Sequence, residues 1–187
     1  MARAWDQNAA MYVMSPVTVK IEEIVMAWTM DMLGLPSGSG GGVRHRYNDG
    51  KLLLAAGRTA LLKHTGWDVE EDGLFGAPPI RVAVGEEVHI SVLKALSLLG
   101  LGRSRLTRVP VDGQGRMRPG ALPRLDDHTV VCIQAGNVNT GAFDPAGDIC
   151  GRAHEAGAWV HVACLPAQRQ TFVPRLRPGQ LPDRAAR

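Results

Sequence analysis

Apolar residues recur at three- and four-residue steps from Val17 through Ile21, Ile24, Val25, Trp28 and Met32, with Lys20, Glu22, Glu23 and Asp31 between them. That period puts an apolar stripe on one face of a helix of about four to five turns. Ser15-Pro16 opens it, because serine can accept a hydrogen bond from a free first-turn amide and proline gives up an amide that had no partner. Gly34 and Pro36 close it.

A second helical pattern runs from Leu52 to His64, and the following GWDVEEDGLFGAPP, Gly66 to Pro79, reads as a surface loop. From Ile80 onward short β-branched runs alternate with helical ones. IRVAV is a strand, Glu86 to Leu99 a helix ended by Gly100, LTRVPV and TVVCIQA are strands, Pro145 to Gly157 is a helix, and AWVHV is a fourth strand. Strands that alternate with helices need crossover connections, so the predicted fold is α/β: a mostly parallel sheet flanked by helices on both faces. Ligands of such sheets bind at the carboxyl ends of the strands.

Composition adds bounds. The 187 residues, 45% of them apolar, are enough for one domain with a buried core. The net charge is +3, and the excess arginine lies in residues 103–124 and 152–187 without interleaved aromatics, which argues against a nucleic-acid partner. Cys132, Cys150 and Cys164 are odd in number and have no CxxC spacing, so reduced thiols and a cytoplasmic location are expected. No apolar run reaches the roughly 18 residues of a membrane helix, and no metal-ligand spacing stands out.

Ser37 to Gly42 (SGSGGG) is a flexible connector or a backbone cradle for phosphate. It follows a helix instead of a strand, which removes the dinucleotide-binding reading. A serine nucleophile is equally unsupported, because no G-x-S-x-G elbow exists.

Two places carry candidate chemistry. His89 stands near the start of the helix that follows IRVAV, close to the carboxyl edge of the sheet, where a planar ring either stacks on a ligand or caps the helix. AGNVNTGAFDP, Ala135 to Pro145, leaves the third strand with Asn137, Asn139 and Thr140 as uncharged hydrogen-bonding groups. It also reads as an ordinary strand-to-helix loop in which Asp144 caps the helix opening at Pro145.

The Ser-Pro helix with GLP, the run His89, Ser91, Lys94, Ala95 (H-x-S-x-x-K-A), and GNVNTGAFDP leading into WVHV together resemble the pyridoxal-phosphate (PLP) dependent decarboxylases of the aromatic amino acid and glutamate decarboxylase group. The resemblance covers Asn8 to Val162, except for Val43 to Lys51. It implies part of the large domain of a type I PLP enzyme, of the aspartate aminotransferase kind, with PLP as cofactor and an amino acid as small-molecule substrate. It further implies a homodimer in which the first helix packs at the interface, His89 stacked on the pyridine ring, and Asn137 and Thr140 beside the cofactor. The reaction implied is loss of the α-carboxylate.

The same resemblance marks departures. The family pattern W-[LIV]-H-V-D-[AG]-A has an aspartate that bonds the protonated pyridine nitrogen and makes the ring an electron sink, and Ala163 stands at that position. The family's cofactor lysine follows a histidine well downstream, whereas the four lysines here, Lys20, Lys51, Lys63 and Lys94, all lie upstream. VRHRYNDGK, Val43 to Lys51, replaces a phosphate-gripping run of small residues; in a neighbouring frame one permitted back-translation gives T-G-T-G-T-T-T-A-N, so local frame changes are expected there and after Val162. The expected organisation is a helical segment over 1–36, a connector and diverged phosphate loop over 37–51, a partial PLP-binding domain over 52–163, and an irregular, non-native tail over 164–187. The expected function is a truncated, inactive amino acid decarboxylase; the alternative is a pseudoenzyme or interaction module that pairs with an intact relative.

Overall fold

The computed structural model describes residues 15–33, 39 and 49–164. The chain divides into two units, residues 1–44 with 171–187 and residues 45–170. In the first unit α1 spans Pro16–Leu33, as the apolar period predicts. Ser15 Oγ donates to Thr18 Oγ1 at 2.6 Å, and Lys20 pairs with Glu23 on the helix surface. Val17, Ile21, Ile24, Val25 and Trp28 are all exposed along one stripe.

The second unit runs α2 (Asp49–His64), α3 (Val69–Asp72), β1 (Arg81–Gly85), α4 (Ile90–Leu98), β2 (Leu106–Val109), a 3-10 turn (Pro119–Ala121), β3 (Thr129–Ala135), α5 (Ala146–Glu155) and β4 (Trp159–Cys164). Its four strands lie in the order β2-β1-β3-β4, and every neighbouring pair is parallel. Alternation along the strands sends successive side chains to opposite faces. Val82, Val84, Val130 and Cys132 pack with Leu54, Leu61, Val92, Ala95 and Leu96 of α2 and α4 on one face. Ala83, Val109, Val131 and Ile133 pack with Met117, Leu122 and with Ile149 and Ala153 of α5 on the other. Fully burying one such aliphatic side chain contributes about 1.5–3 kcal/mol, so two covered faces explain why the central strands β1 and β3 read as nearly unbroken apolar runs.

Three details differ from the sequence pattern. The segment read wholly as loop contains α3, whose first turn is capped by Asp68 accepting from Glu70 N and carries three acidic residues that suit the positive end of a helix. Helix α4 begins at Ile90, not Glu86, because Glu86 N still bonds Val109 O and Val88 N closes a turn onto Gly85 O. Asp144 does not cap α5. Its carboxylate accepts instead from Met117 N at 2.7 Å and Gln134 N at 2.6 Å, and α5 starts at Ala146 behind an N-cap Pro145 that gives no side-chain hydrogen bond. The phosphate-loop departure from Val43 to Asn48, the connector apart from Ser39, and residues beyond Cys164 lie outside the described residues.

Candidate functional site

Loops from β1, β3 and the segment after β2 meet at the carboxyl edge of the sheet. Strands β1 and β3 are direct neighbours, so the loop bearing His89 and the loop bearing Asn137 emerge side by side. His89 is the N-cap of α4, with extended backbone at φ −61 and ψ 139. Its Nδ1 accepts from Ser91 N at 3.3 Å and lies 2.7 Å from Ser91 Oγ. An N–H can donate only to an unprotonated ring nitrogen, so in this pose Nδ1 is the acceptor and the ring proton belongs on Nε2. Capping and ligand contact are therefore compatible: one ring nitrogen serves the helix, while the ring face and the Nε2 proton remain for something else.

Asn137 is buried, and its groups serve the loop. Its Oδ1 accepts from Asn139 N at 2.8 Å and Thr140 N at 3.3 Å, while its Nδ2 donates to Glu87 Oε2 at 3.1 Å. Thr140 is exposed; its hydroxyl donates to Gln114 O at 2.7 Å and accepts from Ala142 N at 3.2 Å. The turn around Gln114 closes over this bridge at Gly115, where φ is +74 and an added Cβ would stand 2.5 Å from both Asn137 Nδ2 and Glu87 Oε2. Only glycine fits there.

Gln134 was not singled out by the sequence reasoning. Its side-chain Oε1 accepts from His89 N at 2.9 Å, and its Nε2 donates to Glu87 O at 3.3 Å. The available signal was a polar residue inside the apolar run TVVCIQA, on the same alternation as Val130 and Cys132; a buried amide at such a place needs partners at both ends.

On β4, Trp159 lies against Gly57 of α2, and His161 and Ala163 follow on the same face. His161 is buried, and burial pushes its imidazole below the ordinary histidine value. Ala163 is the register partner of Gln134. Asp126, Asp127 and His128 also lie close together, but at the amino end of β3, away from this edge, where Asp126 is bonded to Arg81 and Thr129. Two thiols among the described residues are free: Cys132, which burial pushes up to about 12, and the half-buried Cys150, which burial also raises. No described helix is long and apolar enough to cross a membrane.

A parallel four-stranded sheet with helices on both faces and its polar loops gathered at the carboxyl edge has the fold of the type I PLP enzymes' large domain. Residues 1–167 match the pyridoxal-dependent decarboxylase conserved domain, and the chain belongs to that family, whose cofactor is pyridoxal 5'-phosphate. It is 32% identical over 177 residues to acidic amino acid decarboxylase GADL1 of Mus musculus, which covers 87% of this chain and 30% of that protein. It is 26% identical over 190 residues to tryptophan decarboxylase 1 of Oryza sativa subsp. japonica, with 87% and 35% covered. Among solved structures, mouse CSAD superposes with a TM-score of 0.67 at 28% identity over 81% of this chain and 33% of that one. Oryza sativa TDC with PLP and tryptamine superposes at 0.68 and 27% identity over 86% and 36%. This chain spans about a third of the length of the curated relatives it matches.

The residues meet that cofactor in part. The imidazole of His89 offers a planar face for a pyridine ring. At the position matching the family's aspartate, Ala163 offers a methyl group within the apolar cluster and no acceptor for a protonated ring nitrogen. Gln134 beside it has both ends of its amide engaged by His89 and Glu87. Nothing at Ala163 matches the nitrogen end of such a ring.

Proposed function

We propose that this chain is the amino-terminal part of the large domain of an amino acid decarboxylase, in which His89 stacks on the PLP ring and the Asn137–Thr140 loop flanks it. The observation that carries this reading is the junction of the His89 loop with β3 at the carboxyl edge, through His89 N to Gln134 Oε1. Asn137 and Thr140 act there by shaping the loop, since Asn137 Oδ1 and Thr140 Oγ1 accept from amides within it and the Thr140 hydroxyl ties it to Gln114 O.

The 187 residues by themselves do not decarboxylate amino acids in this reading. Ala163 supports it, because a neutral methyl cannot hold the ring nitrogen protonated, and a charge-assisted hydrogen bond there is worth about 1.5–3 kcal/mol. Residues 52–163 form the PLP-facing part, and the free thiols of Cys132 and Cys150 suit a reducing, cytoplasmic setting. The exposed stripe of α1, from Val17 to Trp28, favours a second role as a pairing surface in a homodimer or with an intact relative.

The test is to mix the full chain with PLP, treat it with borohydride, map the peptides, and follow carbon dioxide release from acidic and aromatic amino acids. Expected are displaced NMR signals of the His89 ring, unmodified lysines and no released gas. A reduced adduct on Lys20, Lys51, Lys63 or Lys94, or measurable decarboxylation, would overturn the inactive assignment. Unmoved His89 signals at saturating PLP would overturn the stacking role.

A further inference from the structure

We infer that Gln134 is a positioning residue for His89: its side-chain amide clamps both ends of the Glu87-Val88-His89 segment to the end of β3, and so sets where the imidazole stands. The inference deepens the proposed stacking role of His89 and rests on it for its functional meaning, but the clamp is a property of the protein alone.

The geometry has four parts. Gln134 Oε1 takes the His89 amide at 2.9 Å while Gln134 Nε2 gives a proton to the Glu87 carbonyl at 3.3 Å, so one rigid planar group spans a three-residue segment. Between those two anchors Val88 is buried in the core with Val84 and Val92, which keeps the segment from rotating as a unit. The strand end is in turn held by Asp144, whose carboxylate takes Gln134 N at 2.6 Å and Met117 N at 2.7 Å. An outer latch, Asn137 Nδ2 to Glu87 Oε2 at 3.1 Å under Gly115, closes the same segment from the solvent side.

The arrangement suits positioning better than general stability. Gln134 is 7% exposed on a strand face whose other positions, Val130 and Cys132, belong to the apolar core, and desolvating an amide there is costly unless both of its ends are bonded. What the amide adds is direction: it fixes the backbone at His89 in the extended conformation that an N-cap requires, and the bond from Ser91 N to Nδ1 then fixes the ring and its tautomer. Both side-chain hydrogen bonds of Gln134 go to main-chain atoms, so its action on the ring passes through the main chain.

Amide hydrogen exchange and ring nitrogen shifts, measured by NMR on the full chain without cofactor, test this in Gln134→Met and Gln134→Glu. In Gln134→Met the His89 amide should exchange about tenfold faster relative to core amides such as Val131, with the ring losing its single tautomer. Gln134→Glu keeps the acceptor for His89 N and should restore protection of that amide. A merely structural role would accelerate His89 and Val131 together, and that outcome, or no change at His89, overturns the clamp. Should Gln134→Met not fold, the wild-type protein still decides: an unprotected His89 amide overturns the inference, and a protected one beside a fast Ile90 supports it. Adding PLP to the wild type tests the stacking role separately, so either idea can fail without the other.

Discussion

Gln134 on β3 and Ala163 on β4 are register partners, and both project to the sheet face covered by α2 and α4. The pair places an amide bonded at both ends next to a bare methyl where the family pattern has a carboxylate. Ala163→Asp should therefore raise retention of PLP, by roughly 10- to 100-fold if one charge-assisted bond is regained. Equilibrium dialysis of the folded variant against wild type measures it, and equal retention would count against the placement of the ring nitrogen.

Asp144 ties two elements through buried amides. Replacing it with leucine leaves Met117 N and Gln134 N without an acceptor and should cost about 1–3 kcal/mol for each. Its acidity carries a sign. Burial, ahead of the opposing bonds from Met117 and Gln134, pushes its carboxyl above the ordinary value of 3.8. The folded chain then holds this proton more tightly than the unfolded one, so the contribution is complete below 3.8 and is lost as pH rises through the raised value. The difference in urea midpoint between wild type and Asp144→Asn should shrink as pH rises through the raised value, and a difference independent of pH would refute it.

His161 works in the opposite sense. Its value is depressed by burial below 6.5, so the unfolded chain takes up a proton that the folded chain resists. Stability associated with His161 is present above 6.5 and is lost as pH falls through the depressed value. Comparing urea midpoints of wild type and His161→Asn at about pH 7.5 and about pH 5.5 isolates this slope. Parallel lines for the two proteins would rule it out.

Cys132 has its thiol pushed up to about 12 by burial between β1 and β4. In the folded protein at mildly alkaline pH it should resist iodoacetamide while the half-buried Cys150 reacts before it, and both should react after denaturation. Mass spectrometry of the alkylated peptides reads the order, and early labelling of Cys132 would mean the core opens locally.

Gly57→Ala pits helix propensity against packing. Alanine favours an α-helix by about 1 kcal/mol, but a Cβ here would stand 2.6 Å from Trp159 Nε1 and 2.8 Å from its Cδ1. Overpacking costs about 1–3 kcal/mol, so the net change should be destabilising. Chemical denaturation measures it, and a Trp159→Leu background should remove the penalty.

Much of the fold was legible because period and punctuation are local. TVVCIQA is β3 without adjustment, and the apolar recurrence from Val17 to Trp28 marks α1. His89 was legible as a residue at the sheet edge, from its place after a strand and at a helix start. Its double use was not: which ring nitrogen caps the helix depends on the Ser91 amide in three dimensions.

By itself, then, the amino-acid order determined the alternation of strands and helices, the family pattern, and the missing acid at Ala163, since each is written in neighbouring residues. Tertiary structure decided which groups meet. Asp144, an apparent helix cap, became the tie between β3 and the segment at Met117, and Gln134 became the partner of a histidine 45 residues away. The reason is physical: a buried carboxylate or amide must find donors and acceptors wherever the packed chain brings them, and sequence distance has no bearing on which they are.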